Sequence, residues 1–156
     1  MIIREAIPGD EDAIMHLINE LAIYEKAPEE VFATSTEIGA SLFQENPVAF
    51  CHVAEVDGKV VGIALWFLNY STWLGKPGLY LEDLFVLQEH RGKGYGMALL
   101  KKLAAIAIER DYERFQWWVL DWNQPSIDLY KQIGAEPMDE WTVFRLSGDA
   151  LRKFAL

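Results

Sequence analysis

The chain has 156 residues, 51% of them hydrophobic and 24% charged, with a net charge of −10. Those numbers describe one soluble domain over residues 1–156 with enough chain for a single core, and the acidic balance excludes a nucleic-acid partner, whose phosphates need Lys and Arg. No apolar run approaches the roughly 20 residues of a membrane span, and the charged start Met1-Ile2-Ile3-Arg4-Glu5 lacks the apolar block of a signal peptide, so no membrane partner and a cytoplasmic location are expected.

Residues Ile2–Ala6 alternate like a short strand, and Pro8-Gly9 breaks it. Asp10 is placed to cap a helix with Glu11 and Asp12 in its first turn. Ile14, Leu17, Ile18, Leu21 and Ala22 recur at helical spacing, and the pattern fades near Lys26, before Pro28. Thr34-Ser35-Thr36-Glu37 signals a second, short helix over roughly 36–44. Two strands, Ala49–Val56 and Lys59–Tyr70, flank Asp57-Gly58, a strong hairpin signal. Cys51, the only cysteine, sits in the first of them as a small buried hydrophobe and leaves no internal disulfide possible.

An apolar strand follows over Gly78–Leu87, then a helix from Gly94 to Arg110 with Leu99, Leu100, Leu103, Ile106 and Ala107 on its buried side. Phe115–Leu120 reads as a buried aromatic strand. Asn123 and Pro125 open a further helix that Gly134 ends, Thr142–Leu146 reads as a last strand, and a helical tail closes the chain. The order βααβββαβαβ predicts a meander followed by a parallel β-helix-β crossover. The expected class is a mixed α+β or α/β fold: a mostly antiparallel central sheet of six to seven strands with helices on both faces.

Between the Gly78–Leu87 strand and the next helix stands Arg91-Gly92-Lys93-Gly94-Tyr95-Gly96. Glycines let backbone N–H groups approach a ligand, and the first turn of a helix adds unpaired donors and a positive dipole end. Such a place suits a phosphate-bearing cofactor. The spacing fits neither a Walker loop nor a dinucleotide fingerprint. The third reading is coenzyme A, whose pyrophosphate would sit on the backbone of residues 92–97; the six residues alone fit an ordinary strand-to-helix turn, and their place after a meander of about four strands favours coenzyme A. No His, Cys or Asp cluster has metal-ligand spacing, so no metal is expected.

Four stretches extend the pattern: Glu20-Leu-Ala-x-Tyr24-Glu25, Leu79-Tyr-Leu-Glu82-Asp83-x-Phe85-Val86, Arg91-Gly-x-Gly-x-Gly96, and Trp122-Asn123-x-Pro125-Ser126-Ile-x-x-Tyr130-Lys131-x-x-Gly134-Ala135. With them the chain resembles the GNAT acetyltransferases, and more narrowly the diamine (spermidine/spermine) acetyltransferase type, over nearly its whole length. The resemblance implies acetyl-CoA as cofactor, held by Leu84, Phe85 and Val86 along the pantetheine, by Arg91, Gly92, Lys93, Gly94, Tyr95, Gly96 and Met97 at the pyrophosphate, and by Asn123 and Ser126. It implies Tyr130 as general acid and Glu82 as the group that deprotonates the amine, through water, for direct attack by way of a tetrahedral intermediate. Tyr24, Glu25 and Asp83 would line the amine pocket, and a homodimer is expected.

The chemistry agrees with those residue types. An alkylamine is protonated at neutral pH and must lose a proton before it attacks a thioester. A tyrosine face and carboxylates suit an ammonium group, and the acidic field suits a cationic substrate. Regular alternation puts Glu82 and Asp83 on opposite faces of their strand; a bulge would relax that limit. Trp117 and Trp118 also alternate, so one is expected in the active site and the other under a helix. The loop Glu136–Trp141 looks shorter than in polyamine enzymes, which leaves Asp139 only a candidate and keeps polyamines, short diamines and lysine-like amino acids such as thialysine all open. A different acceptor, a protein N-terminus or an aminoglycoside, is the alternative, and a non-catalytic acyl-CoA sensor is a further one.

Overall fold

Asp57 and Gly58 both adopt positive φ, +50° and +76°. That is the backbone of a tight two-residue turn whose twist matches the strands on either side. It joins β2 (Phe50–Val56) to β3 (Lys59–Ser71), which pair antiparallel with Val56 opposite Lys59. The computed structural model describes residues 1–156 and divides into two compact units, Met1–Trp118 and Val119–Leu156.

The first unit carries the sheet, in the order β1-β2-β3-β4-β5, with β1 at Ile2–Glu5, β4 at Lys76–Val86 and β5 at Phe115–Trp117. The first four strands are antiparallel neighbours, and β5 joins parallel to β4. The sheet is mixed and mostly antiparallel, as expected, but it has five strands rather than six or seven. Residues 142–146 form no strand, because no neighbouring strand takes up their backbone groups. The aromatic strand is three residues long, not the six of Phe115–Leu120, since its register with β4 ends at Trp117 opposite Leu81.

Helix α1 (Glu11–Tyr24) and helix α2 (Ser35–Phe43) cover one face. Ile14, Leu17 and Leu42 pack there with Cys51, Val53, Ile63, Leu65 and Phe85 of the sheet. Helix α3 (Tyr95–Glu109) covers the other face and buries Leu99, Leu100, Leu103, Ile106 and Ala107, the side its periodicity predicts. Helix α2 begins with a capping box: Glu37 N–H donates to Thr34 Oγ1 at 3.2 Å, and Thr34 N–H donates back to Glu37 Oε2 at 2.9 Å. Asp10 stands at the start of α1 but does not cap it. Its carboxylate turns back to accept from Arg4 Nη1 at 2.7 Å and from Ile7 N–H at 2.9 Å, because the guanidinium is the stronger donor.

The second unit holds helix α4 (Gln124–Gln132) and helix α5 (Gly148–Phe154). Asn123 occupies the position before α4 but its side chain accepts no cap hydrogen bond from the helix, so the expected cap is positional only. The end of α4 closes as expected, with Ala135 N–H donating to Tyr130 O at 3.0 Å.

Candidate active site

The register of β3 against β4 slips in the middle. Leu65 lies opposite Asp83, but Trp66 lies opposite Leu81, so Glu82 is an extra residue in β4. A bulge of this kind reverses the alternation beyond it. Leu79 and Leu81 share the α3 face, whereas Asp83 and Phe85 face α1 and α2 with Leu65 and Ile63. The bulge thus removes the strict opposition of Glu82 and Asp83 that regular alternation imposes.

Its electrostatic result is an acidic group on the α1 side. Burial, then the Glu82 charge, then the Glu25 charge push the Asp83 carboxyl up to about 6. Burial also raises Glu25, the residue that ends α1. The Tyr80 phenol is pushed up to about 12 by burial and by Glu82. Glu82 itself is exposed, and its charge reaches both Tyr80 and Asp83. No basic side chain makes an ion pair with any of the three carboxylates. A buried carboxylate without a counter-ion is costly, and an incoming cation would relieve that cost.

Aromatic rings wall this group. The Tyr24 and Phe85 centroids are 6.5 Å apart, and Trp118 meets Tyr80 edge-on at 6.0 Å. Trp117 packs instead on Phe115, with centroids 4.9 Å apart, on the side of Leu79 and Leu81. Of the two indoles, Trp118 is therefore the one that meets Tyr80. Tyr80 was not singled out from sequence. Its position could be inferred only once the bulge downstream was known.

Beyond Leu81, β4 has no strand on its β5 side. Leu87 N–H donates to Val61 O on the β3 side. Alternation then aims the amide groups of Leu84 and Val86 at the open edge, where an extended ligand could pair with them. The strand leads through a 3-10 turn at Gln88–His90 into the glycine loop. Gly92 and Gly94 have φ of +74° and +81°, a region L side chains rarely adopt, and the space where a Cβ would stand is open. Gly94 begins α3 without a side-chain cap, and no acidic residue occupies the first turn. The amides of Tyr95, Gly96 and Met97 thus open a long helix whose first backbone bond is donated by Ala98 N–H to Gly94 O at 2.9 Å. Lys93, exposed in the loop, adds a positive charge. This geometry fits a cofactor that joins a phosphate group to an extended amide chain, as acetyl-CoA does. No group of His, Cys, Asp or Glu is arranged to hold a metal ion.

In the second unit, Asn123, Ser126 and Tyr130 follow one another by three and four residues along α4, so they share a helical face. Asn123 is buried at 9% exposure. Asp139 lies in an exposed turn.

Residues 12–135 match the model of the acetyltransferase (GNAT) family, a span that includes residues of both units. Over 166 aligned residues, 99% of this chain and 97% of its relative, the sequence is 40% identical to a thialysine N-epsilon-acetyltransferase of Sus scrofa. It is 30% identical to an L-ornithine N5-acetyltransferase of Arabidopsis thaliana, covering 96% of this chain and 86% of that one. Among solved structures, an integron cassette protein from the mobile metagenome of V. cholerae superposes with a TM-score of 0.82 at 28% identity, over 99% of this chain and 96% of the other.

Proposed function

The chain belongs to the acetyltransferase (GNAT) family, and from that premise we propose that it transfers the acetyl group of acetyl-CoA to a primary amine of a small cationic acceptor. The acceptor class is a lysine-like amino acid such as thialysine, a short diamine or a polyamine. The observation that carries this reading is the β4 bulge, which sets Glu82 and a half-buried Asp83 beside Glu25 and Tyr24 at the head of the strand that ends in the glycine loop. An acidic, aromatic-walled group without a counter-ion selects for an ammonium. The relatives' acceptors, a thialysine in one and an ornithine in the other, carry such a group at the end of a short alkyl chain.

Acetyl-CoA, where bound, supplies an electrophilic acetyl group and a thiolate that leaves. Leu84, Phe85 and Val86 hold its pantetheine arm along the open edge of β4, Arg91 to Met97 hold its pyrophosphate, and Asn123 and Ser126 add contacts from α4. Tyr24, Glu25, Asp83 and Trp118 receive the acceptor, with Trp117 kept out of the pocket by its packing on Phe115. Glu82 accepts the ammonium proton through water, and its exposure lets it pass that proton to solvent. Tyr130 holds a proton at its phenol oxygen for the departing sulfur.

The whole chain acts as one acetyltransferase domain in this reading. It works in the cytoplasm and as a homodimer. Support for the dimer comes from residues 141–146, where Trp141, Val143, Phe144 and Leu146 are exposed, Phe144 at 93%, in a segment patterned as a strand. A second copy would supply the missing partner. The test of the activity is direct. Purified protein is mixed with acetyl-CoA and, separately, thialysine, lysine, ornithine, putrescine and spermidine, and released thiol is measured. Thiol release with at least one of these is expected; none with any of them overturns the reading.

A further inference from the structure

Strand β1 pairs with β2 only as far as Glu5 opposite His52, and Ala6 N–H makes one bond more, to Cys51 O at 2.9 Å. Phe50, where β2 begins, lies past that point and has no partner in β1. A cavity of about 310 Å³ opens there. Phe43 at the end of α2 lines it with Phe50, His52 and Trp66 of the sheet, and so do Glu5 and Arg110, the residue that follows α3. The cavity stands at the β1–β2 edge, and β3 separates that edge from β4 and its carboxylates.

His52 gives this cavity a donor with no acceptor of its own. The residue is 2% exposed. Its Nδ1 accepts from Trp66 Nε1 at 3.2 Å, and an indole nitrogen can only donate. The neutral ring therefore carries its hydrogen on Nε2, and burial keeps the ring neutral by holding its pKa below 6.5. Nε2 is buried without a hydrogen-bond partner. Such a donor is costly to leave unmade, and a ligand oxygen would remove that cost. Two opposite charges complete the lining. Arg110 and Glu5 are both exposed, and neither belongs to an ion pair. The Arg110 guanidinium carbon lies 5.4 Å from the Trp66 ring centroid, and Phe50 stacks on the same indole with centroids 4.5 Å apart.

The volume is at the low end for ligand sites, so the occupant is small. A simple carboxylate would match His52 and Arg110 but meet the Glu5 charge. A simple amine would match Glu5 and leave the two donors unmatched. A molecule that bears both charges on a short apolar body matches every group. We propose that this cavity binds a free α-amino acid with an apolar side chain, its carboxylate on His52 Nε2–H and Arg110, its ammonium on Glu5 and its side chain against Phe43 and Phe50. Arg110, held on Trp66 only by a weak cation–π contact at an exposed site, swings to the carboxylate as the ligand enters and uncovers His52. The ligand has no side-chain amine, so it is not an acceptor for the chemistry at β4.

The test reads His52 directly. The full chain, labelled with ¹⁵N, is titrated with L-leucine and with L-phenylalanine, and the Nε2–H resonance of His52 is followed by NMR. Two analogues are run beside them: 4-methylpentanoate, which lacks the ammonium, and isopentylamine, which lacks the carboxylate. At least one amino acid should move the His52 resonance to saturation, with both analogues weaker by about ten-fold or more. Arg110→Gln should weaken the amino acid by about ten-fold or more. Glu5→Gln should weaken it too, and should close the gap between leucine and 4-methylpentanoate. Both substitutions are at exposed positions, and an unchanged amide spectrum checks that the fold is kept. A His52 resonance that neither amino acid moves overturns the proposal, as does equal affinity in wild type and Arg110→Gln. A carboxylate analogue that binds as tightly as leucine overturns the amino-acid assignment.

Discussion

Replacing Asp83 by asparagine removes a charge that the fold holds where charge is disfavoured. The carboxyl titrates at about 6 in the folded chain against an ordinary value of 3.8, chiefly because it is buried and then because Glu82 and Glu25 stand near. Below pH 3.8 both folded and unfolded chains keep the proton, and the group has no effect on stability. As pH rises from 3.8 to 6 the unfolded chain releases the proton first, so stability falls through that window and stays lower above it. At about 1.4 kcal/mol per pH unit, the ionised side chain costs the native state about 3 kcal/mol at neutral pH. Asparagine has the same shape and no charge. Asp83→Asn should therefore match the wild type near pH 3.5 and exceed it by up to about 3 kcal/mol at pH 7 and above, with the difference growing mainly between pH 4 and 6. Urea unfolding followed by tryptophan fluorescence across that pH range measures it. At neutral pH a melting temperature higher by roughly 6–12 °C is the thermal counterpart. The same variant should acetylate poorly, because an amide cannot compensate an ammonium. A stability difference that is flat with pH, or a variant less stable than wild type at pH 8, would refute the account of Asp83 as a half-buried carboxylate kept for a cation.

Tyr130→Phe should lower kcat by about 10²- to 10⁴-fold with little change in acceptor KM, the loss usual for a general acid; an unchanged kcat in steady-state assays removes that role. Gly94→Ala meets no steric block but forces a side chain onto a φ of +81°. It should cost about 1–2 kcal/mol in chemical denaturation and weaken coenzyme A in calorimetry. His52 is buried and accepts the Trp66 Nε1–H at its Nδ1, 3.2 Å away, and burial holds its pKa below the ordinary 6.5. The unfolded chain thus takes up a proton that the folded chain resists, and stability is lost as pH falls below 6.5. His52→Gln, which can still accept from Trp66, should lose less; stability curves that stay parallel below pH 6.5 would contradict this.

Features set by neighbours in the chain were legible from the sequence. The Asp57-Gly58 hairpin, the capping box at Thr34 and the buried side of α3 depend on turn chemistry and a 3.6-residue period, both written within a few residues. The glycine loop at a strand-helix junction was equally local, whereas its reading as a coenzyme A site needed its place after the meander of strands as well. What escaped the sequence depends on pairing across distance. Nothing local distinguishes a strand that finds a neighbour from one that does not, so residues 142–146 read as strand and are none. Asp10 reads as a cap because the pull of Arg4, on another element, is invisible to a local pattern.

The site divides along the same line. The family resemblance named Glu82, Asp83, Tyr24 and Glu25 as the amine set, and their residue types suit an ammonium group. Which carboxylate is the more covered was set by the register of β3 on β4, because one extra residue at Glu82 turns the half-buried Asp83 into the α1 face. The pairing of β5 on β4 put Trp117 on the side of Leu79 and Leu81, and the residue after it, Trp118, against Tyr80. Arg91 could be read from sequence only as part of a loop. Its place on Tyr24, 67 residues earlier in the chain, exists because α1 and the end of β4 meet in three dimensions. Local chemistry determined which groups the protein owns; strand register and helix packing decided which of them face one another.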